Sequence, residues 1–94
     1  MDVLYGYFVW DSDKEKANTL KHGVNFRTAS GAFMDENRVI IEDLEHSQAE
    51  DRFYCIGKVD DDILTVWFAY RDLLIRIIGA GKLKKGQDIY ENKK

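Results

Sequence analysis

The sequence predicts an α+β fold: an antiparallel sheet with helices packed mainly on one face, in the order βααββββα. Three observations predict it. An aromatic and β-branched run, Val3–Trp10, leads directly into a charged helix with caps at its start and Gly23 at its end. Two apolar runs, Ile63–Tyr70 and Leu73–Ile78, are separated only by Arg71-Asp72, the spacing of a hairpin between central strands. Finally, 94 residues with 45% hydrophobic and 13% aromatic side chains supply one modest core and no second one, so all elements belong to a single domain.

Val3–Trp10 reads as the first strand. Asp11 and Ser12 offer N-caps, and Ser12 with Glu15 has capping-box spacing. Ala17 and Leu20 are the inward candidates of the first helix, and Gly23 supplies the left-handed residue that ends it. Asn25 caps a second short helix running to Ala32, with Phe26, Ala29 and Phe33 at helical spacing and Gly31 either weakening that helix or marking close packing. Met34–Asn37 is a loop. Arg38–Glu42 is a strand centred on Val39, Ile40 and Ile41, and Asp43–Glu50 is a polar connection carrying His46. Asp51–Val59 is the third strand, and Asp60-Asp61-Asp62 forms a tight turn. The two apolar runs follow as central strands, the second interrupted by Arg76 and broken by Gly79-Ala80-Gly81. Lys82–Tyr90 is a short helix weakened by Gly86, and Glu91–Lys94 frays.

The net charge of −3 is unevenly spread. Residues 35–62 hold ten acids and three bases, whereas residues 63–94 hold seven bases and three acids. That pattern suits a polyanion touching one face, and equally a basic partner docking on the acidic shoulder. No apolar run approaches the ~18 residues needed to cross a bilayer. Met1-Asp2 opens with an acid rather than the basic region of a signal peptide, so a cytoplasmic protein with no membrane role is expected. Cys55 is the only cysteine, cannot form an internal disulfide, and reads as packing within a strand.

Among side chains that carry chemistry, Arg76 is the most anomalous. An arginine within an apolar strand is either paired, here with a carboxylate of the acidic shoulder, or lines a groove that binds anions. Arg71 at the hairpin tip is either a solvated charge or a second phosphate ligand. Arg52 starts a strand from which it reaches the same sheet face, and strands only ~5 Å apart let three such arginines converge. Lys21-His22 ends the first helix, where both complement the helix dipole; His22 is alternatively an acid or base, because its charge is tunable near neutral pH. His46, in an acidic loop, is expected to be a surface residue. Trp67 and Tyr70 point to opposite faces, one into the core and the other available to stack on a base. No histidine, cysteine and acid set has metal-ligand spacing, so no metal and no cofactor is expected.

The order and spacing of several short motifs resemble the BrnT family of toxins. They are Phe8-Val9-Trp10-Asp11, Lys14, Ala17-Asn18, Lys21-His22-Gly23-Val24, Phe26, Ala29 and Phe33. Glu50-x-Arg52, Gly57, Tyr70-Arg71, Arg76-Ile77-Ile78 with Ala80, and Tyr90-Glu91 follow. The resemblance implies a RelE-like fold and a metal-free ribonuclease of a type II toxin–antitoxin pair. It also implies a partner antitoxin of the BrnA kind, a ribbon-helix-helix protein through which DNA is met only indirectly. On that reading His22, Arg52, Arg71 and Arg76 are catalytic, and Lys21, Trp67, Tyr70 and Lys82 hold RNA. One departure bears on activity. The family commonly reads Arg-Ile-Ile-Ser-Ala-Arg where this chain has Arg76-Ile77-Ile78-Gly79-Ala80-Gly81. Loss of one stabilising donor removes about 2.7–4 kcal/mol of transition-state stabilisation. The available substitutes, Lys82, Lys84 and Lys85, lack the planar fork of arginine. A catalytically attenuated partner or co-repressor is the alternative expectation.

Overall fold

A computed structural model describes residues 1–93. They form strands β1 (Asp2–Tyr5) and β2 (Phe8–Asp11), helices α1 (Ser12–His22) and α2 (Phe26–Ser30), then strands β3 (Val39–Glu42), β4 (Arg52–Val59), β5 (Asp62–Arg71) and β6 (Leu74–Gly81), and finally helix α3 (Lys84–Glu91). Short 3-10 turns occupy Gly31–Met34 and Leu44–His46. The strand order across the sheet is β1-β2-β6-β5-β4-β3. The fold is α+β as expected, but the sheet is mixed: β2 lies parallel to β6, and the other neighbours are antiparallel.

Three local expectations change. Val3–Trp10 is a hairpin rather than one strand, because Gly6 takes φ 61 and reverses the chain with Tyr7. The glycines after Ile78 do not break β6. Gly79, Ala80 and Gly81 stay paired with Trp67, Val66 and Thr65, and the irregularity is a bulge that leaves Ile78 out of register. The second helix ends at Ser30 and tightens into the 3-10 turn that carries Ala32 and Phe33. Other local signals hold. Asp11 caps α1 by accepting from the Lys14 N–H, Asn25 caps α2 through the Thr28 N–H, and Gly23 ends α1 at φ 71. Asp60 and Asp72 supply the positive φ in the β4–β5 and β5–β6 turns.

Helix α1 differs most from its sequence pattern. None of its residues is buried, and Leu20 is 88% exposed. Its inward contacts are polar. Glu15 does not close a capping box; its carboxylate accepts from the Trp10 indole N–H at 3.1 Å and from the Phe26 N–H at 2.9 Å, joining β2, α1 and α2. Asn18 does the work of a missing strand. β2 pairs with β6 only at Phe8/Ile75 and Val9/Arg76, so the outer edge of β6 beyond Arg76 lacks a strand partner. There the Asn18 amide donates to the Ala80 carbonyl at 2.8 Å and accepts from its N–H at 3.2 Å.

The helices do not share one face. Cys55 and Gly57 look toward the 3-10 turn after α2, where a Cβ on Gly57 would fall 2.3 Å from the Ala32 carbonyl oxygen. Ile56, one residue between them, looks the other way, toward Gly86 of α3. The main core therefore lies on the α2 side, built from Trp10, Phe26, Ala29, Cys55, Phe68 and Ile77. On the opposite face α3 covers only one end. The last residues were expected to fray; Asn92 still donates to the Asp88 carbonyl, and Lys94 lies outside the described residues.

Candidate phosphate-binding face

The end of the sheet that α3 leaves uncovered is organised in cross-strand rows. Arg52 pairs with Ala69 and Ala69 with Arg76, so these three side chains stand on one face. Arg71 lies two residues beyond Ala69 and joins that face. Ala69 has no exposed surface, as befits a methyl between two long arginine stems. The next row inward is Tyr54, Trp67 and Gly79, and the row after it, Ile56, Thr65 and Gly81, begins the part under α3. The Trp67 ring meets Tyr54 edge-on at 5.8 Å, and lies 3.6 Å from where a Cβ on Gly79 would sit.

Two of the three arginines are held by acids. Arg76 makes a two-pronged pair with Asp2, Nη1 to Oδ2 at 3.2 Å and Nη2 to Oδ1 at 3.1 Å. That hydrogen bond, more than the charge itself, holds the Asp2 carboxyl below its ordinary pKa. The Arg76 partner thus comes from the N-terminal strand and not from the acidic shoulder. Arg71 Nη2 donates to both Glu50 carboxylate oxygens, at 3.2 and 3.3 Å. In each case part of the five-donor fork stays free.

The loop between β3 and β4 is tied to the arginine row through its backbone. The Asp43 N–H donates to the Arg52 carbonyl at 2.7 Å. Ser47 Oγ accepts from the Arg52 N–H at 2.9 Å and donates to the Asp43 carbonyl at 2.6 Å. Within this clamp Asp43 is 2% exposed, and its Oδ2 lies 2.8 Å from Nδ1 of His46, whose ring is exposed. Burial, and next the charge of Asp43, push the nearby Tyr54 phenol up. His46, Gln48, Ala49, Glu50 and Arg52 line a shallow cleft of about 170 Å³. His46 is a surface residue as expected, yet its pairing with a buried carboxylate was not foreseen. The aspartate–histidine spacing of three residues was the available signal, and the turn at Leu44–His46 gives it meaning. Ligand atoms of Asp43, Glu45 and His46 lie within 4.8 Å of one another, although Asp43 and His46 already satisfy each other.

The remaining candidates lie elsewhere. His22 stands beside Gly81, whose Cβ would sit 3.4 Å from the imidazole Nδ1. The Gly81–Thr65 row is four residues along β5 from Ala69, roughly 13 Å from the arginines. Lys21 is exposed on the last turn of α1, and Lys82 pairs with Asp62 at 3.3 Å at the same distant end. Tyr70 takes the opposite face, edge-on to Phe53 and Phe68, and remains 55% exposed. Among the described residues, no helix is long and apolar enough to cross a membrane.

The family model for BrnT, the ribonuclease toxin of type II toxin–antitoxin systems, matches residues 10–86. The chain belongs to the BrnT family. No curated protein matches it. The match to this toxin family runs from the end of β2 into α3, so it spans all three arginines, the Asp43–Ser47 loop and the Gly79–Gly81 departure. A BrnT arginine at position 81 would stand against His22 and outside the Arg52–Ala69–Arg76 row. The departure therefore leaves the arginine row of this BrnT chain intact.

Proposed function

We propose that the chain is a metal-free endoribonuclease, with Arg52, Arg71 and Arg76 holding the scissile phosphate and the ribose 2′-hydroxyl as nucleophile. The carrying observation is the row Arg52–Ala69–Arg76 with Arg71 on the same uncovered face. Planar guanidinium forks suit phosphate oxygens, and they complement the charge that gathers on them during in-line attack. Trp67, in the adjacent row, offers a face on which a base stacks. Lys21, His22 and Lys82 sit one sheet length away, where they meet flanking phosphates. A BrnA-like ribbon-helix-helix antitoxin silences the enzyme, its basic surface drawn to the acidic residues 35–62, and DNA is met only through that partner. The setting is the cytoplasm, where RNA cleavage arrests growth.

The test is expression of the chain alone, followed by incubation of the purified protein with single-stranded RNA and chelator. Growth arrest and chelator-resistant cleavage are expected, with no cut where the scissile ribose lacks its 2′-hydroxyl. Arg52→Ala and Arg76→Ala each reduce cleavage by about 10²–10³-fold, the range for loss of one transition-state donor. Absence of both arrest and cleavage refutes the reading. A second reading, an attenuated partner that holds the antitoxin as a co-repressor, is favoured by the Asp2 and Glu50 carboxylates occupying two of the three arginines. It is selected if the chain binds its antitoxin and cuts nothing.

A further inference from the structure

We infer that His46 is the acid–base group of the RNA site and that Asp43 is its positioning residue; the inference rests on the ribonuclease reading above. An ionised carboxylate accepts only, so the 2.8 Å contact from Asp43 Oδ2 assigns the proton of the neutral imidazole to Nδ1. Nε2 then carries the free lone pair, on a ring that is 57% exposed while its partner is buried. This is the arrangement a general base requires: a buried acceptor fixes ring and tautomer, and the second nitrogen is open to substrate.

Position strengthens the assignment. His46 and Arg52 line the same cleft, and Glu50 in that cleft holds Arg71. The Asp43 and Ser47 hydrogen bonds to the Arg52 backbone fix the imidazole relative to the arginine row. The other histidine, His22, lies near Gly81, beyond reach of a phosphate seated on Arg52 and Arg76. The groups facing His46 are Asp43, Glu45, Glu50 and Arg52, with the Tyr54 phenol behind Asp43.

The step balances without a co-reactant other than water. Nε2 takes the proton of the 2′-hydroxyl, and the 2′-oxygen forms a bond to phosphorus. The bond from phosphorus to the 5′-oxygen breaks, its electron pair leaves with that oxygen, and water supplies the oxygen's proton. The products are a 2′,3′-cyclic phosphate and a 5′-hydroxyl, and His46 returns its proton to solvent. Arg52, Arg71 and Arg76 meet the non-bridging oxygens throughout.

The experiment compares the full chain with His46→Ala, Asp43→Asn and His22→Ala on one labelled single-stranded RNA across pH. His46→Ala is expected to lower kcat by about 10²–10⁴-fold and to abolish the rise in rate on the acid side. Added imidazole should restore part of the rate to that variant. Asp43→Asn should lower kcat less than His46→Ala does, because the imidazole stays but loses the acceptor that fixes its ring and tautomer. Nitrogen-15 spectra give a readout without RNA: one Nδ1–H tautomer for His46 in the unmutated chain, a mixture in Asp43→Asn. His46 is exposed, so its alanine variant should fold, which a thermal melt verifies. Retention of the rate and acid-side rise by His46→Ala, or loss of the acid-side rise in His22→Ala while His46→Ala keeps it, overturns this inference alone. An unmutated chain that cuts no RNA overturns the ribonuclease reading and this inference with it.

Discussion

Replacing Asn18 by alanine tests whether one amide closes the edge of β6. The side chain makes three hydrogen bonds to backbone: Ala80 O at 2.8 Å, Ala80 N at 3.2 Å and Val24 O at 3.0 Å. At a net ~1 kcal/mol each, their loss amounts to about 3 kcal/mol. Ala80 has no exposed surface, so its orphaned N–H and C=O press the figure upward, whereas Asn18 is half-buried and its removal admits water, which presses it down. Stability for a chain of this length is about 5–14 kcal/mol at 0.05–0.15 kcal/mol per residue, so roughly a fifth to three fifths would vanish. The assay is urea unfolding followed by Trp10 and Trp67 fluorescence, with a lowered midpoint and an unchanged slope expected. Asn18→Asp is the sharper variant. It keeps the shape but sets a carboxylate against two carbonyl oxygens, so it should be less stable at neutral pH than Asn18→Ala. A loss below ~1 kcal/mol for alanine, or an aspartate variant as stable as the parent, refutes the reasoning.

At Gly86, a Cβ would lie 1.9 Å from Thr65 Oγ1, so Gly86→Ala should loosen α3 by about 1–3 kcal/mol, and adding Thr65→Ala should recover much of it in the same unfolding assay. Cys55 is buried and its thiol is pushed up to about 12 by that burial, so a thiol reagent at pH 8 should label it only as fast as the chain unfolds; rapid labelling in native buffer would contradict the packing. The Tyr90 hydroxyl donates to Asp35 Oδ2, anchoring α3 to the loop before β3. That bond lowers the Asp35 carboxyl below its ordinary 3.8 and raises the Tyr90 phenol above its ordinary 10.0. Its stabilisation is therefore complete between those values, falls as acid protonates Asp35, and falls again as alkali ionises Tyr90. Tyr90→Phe should flatten both edges of a melting-temperature profile against pH, and a profile identical to the parent would exclude the anchor.

The sequence by itself determined what depends on a few neighbouring residues. Asp11 and Asn25 cap helices because each side chain reaches an N–H three residues on, and Gly23 stops α1 because that position needs positive φ. The apolar runs of β5 and β6 announced central strands, and each lies between two strand partners. Spaced motifs also carried the family. The tertiary structure alone decided which distant residues share a surface. Nothing local reports that Asp2 meets Arg76, or that Asn18 reaches Ala80, because those contacts span 74 and 62 positions. The parallel seating of β2 against β6 and the choice of face for α3 follow from closing one core, not from the composition of either segment. The candidate site divides in the same way. Arginine identities were legible as anomalies in apolar strands, but a common face for Arg52, Arg71 and Arg76 requires the β4–β5–β6 register. A one-residue slip in that register would turn a strand's side chains to the other face. The same closure set His22 apart from the arginines and seated His46 on a buried aspartate beside Arg52.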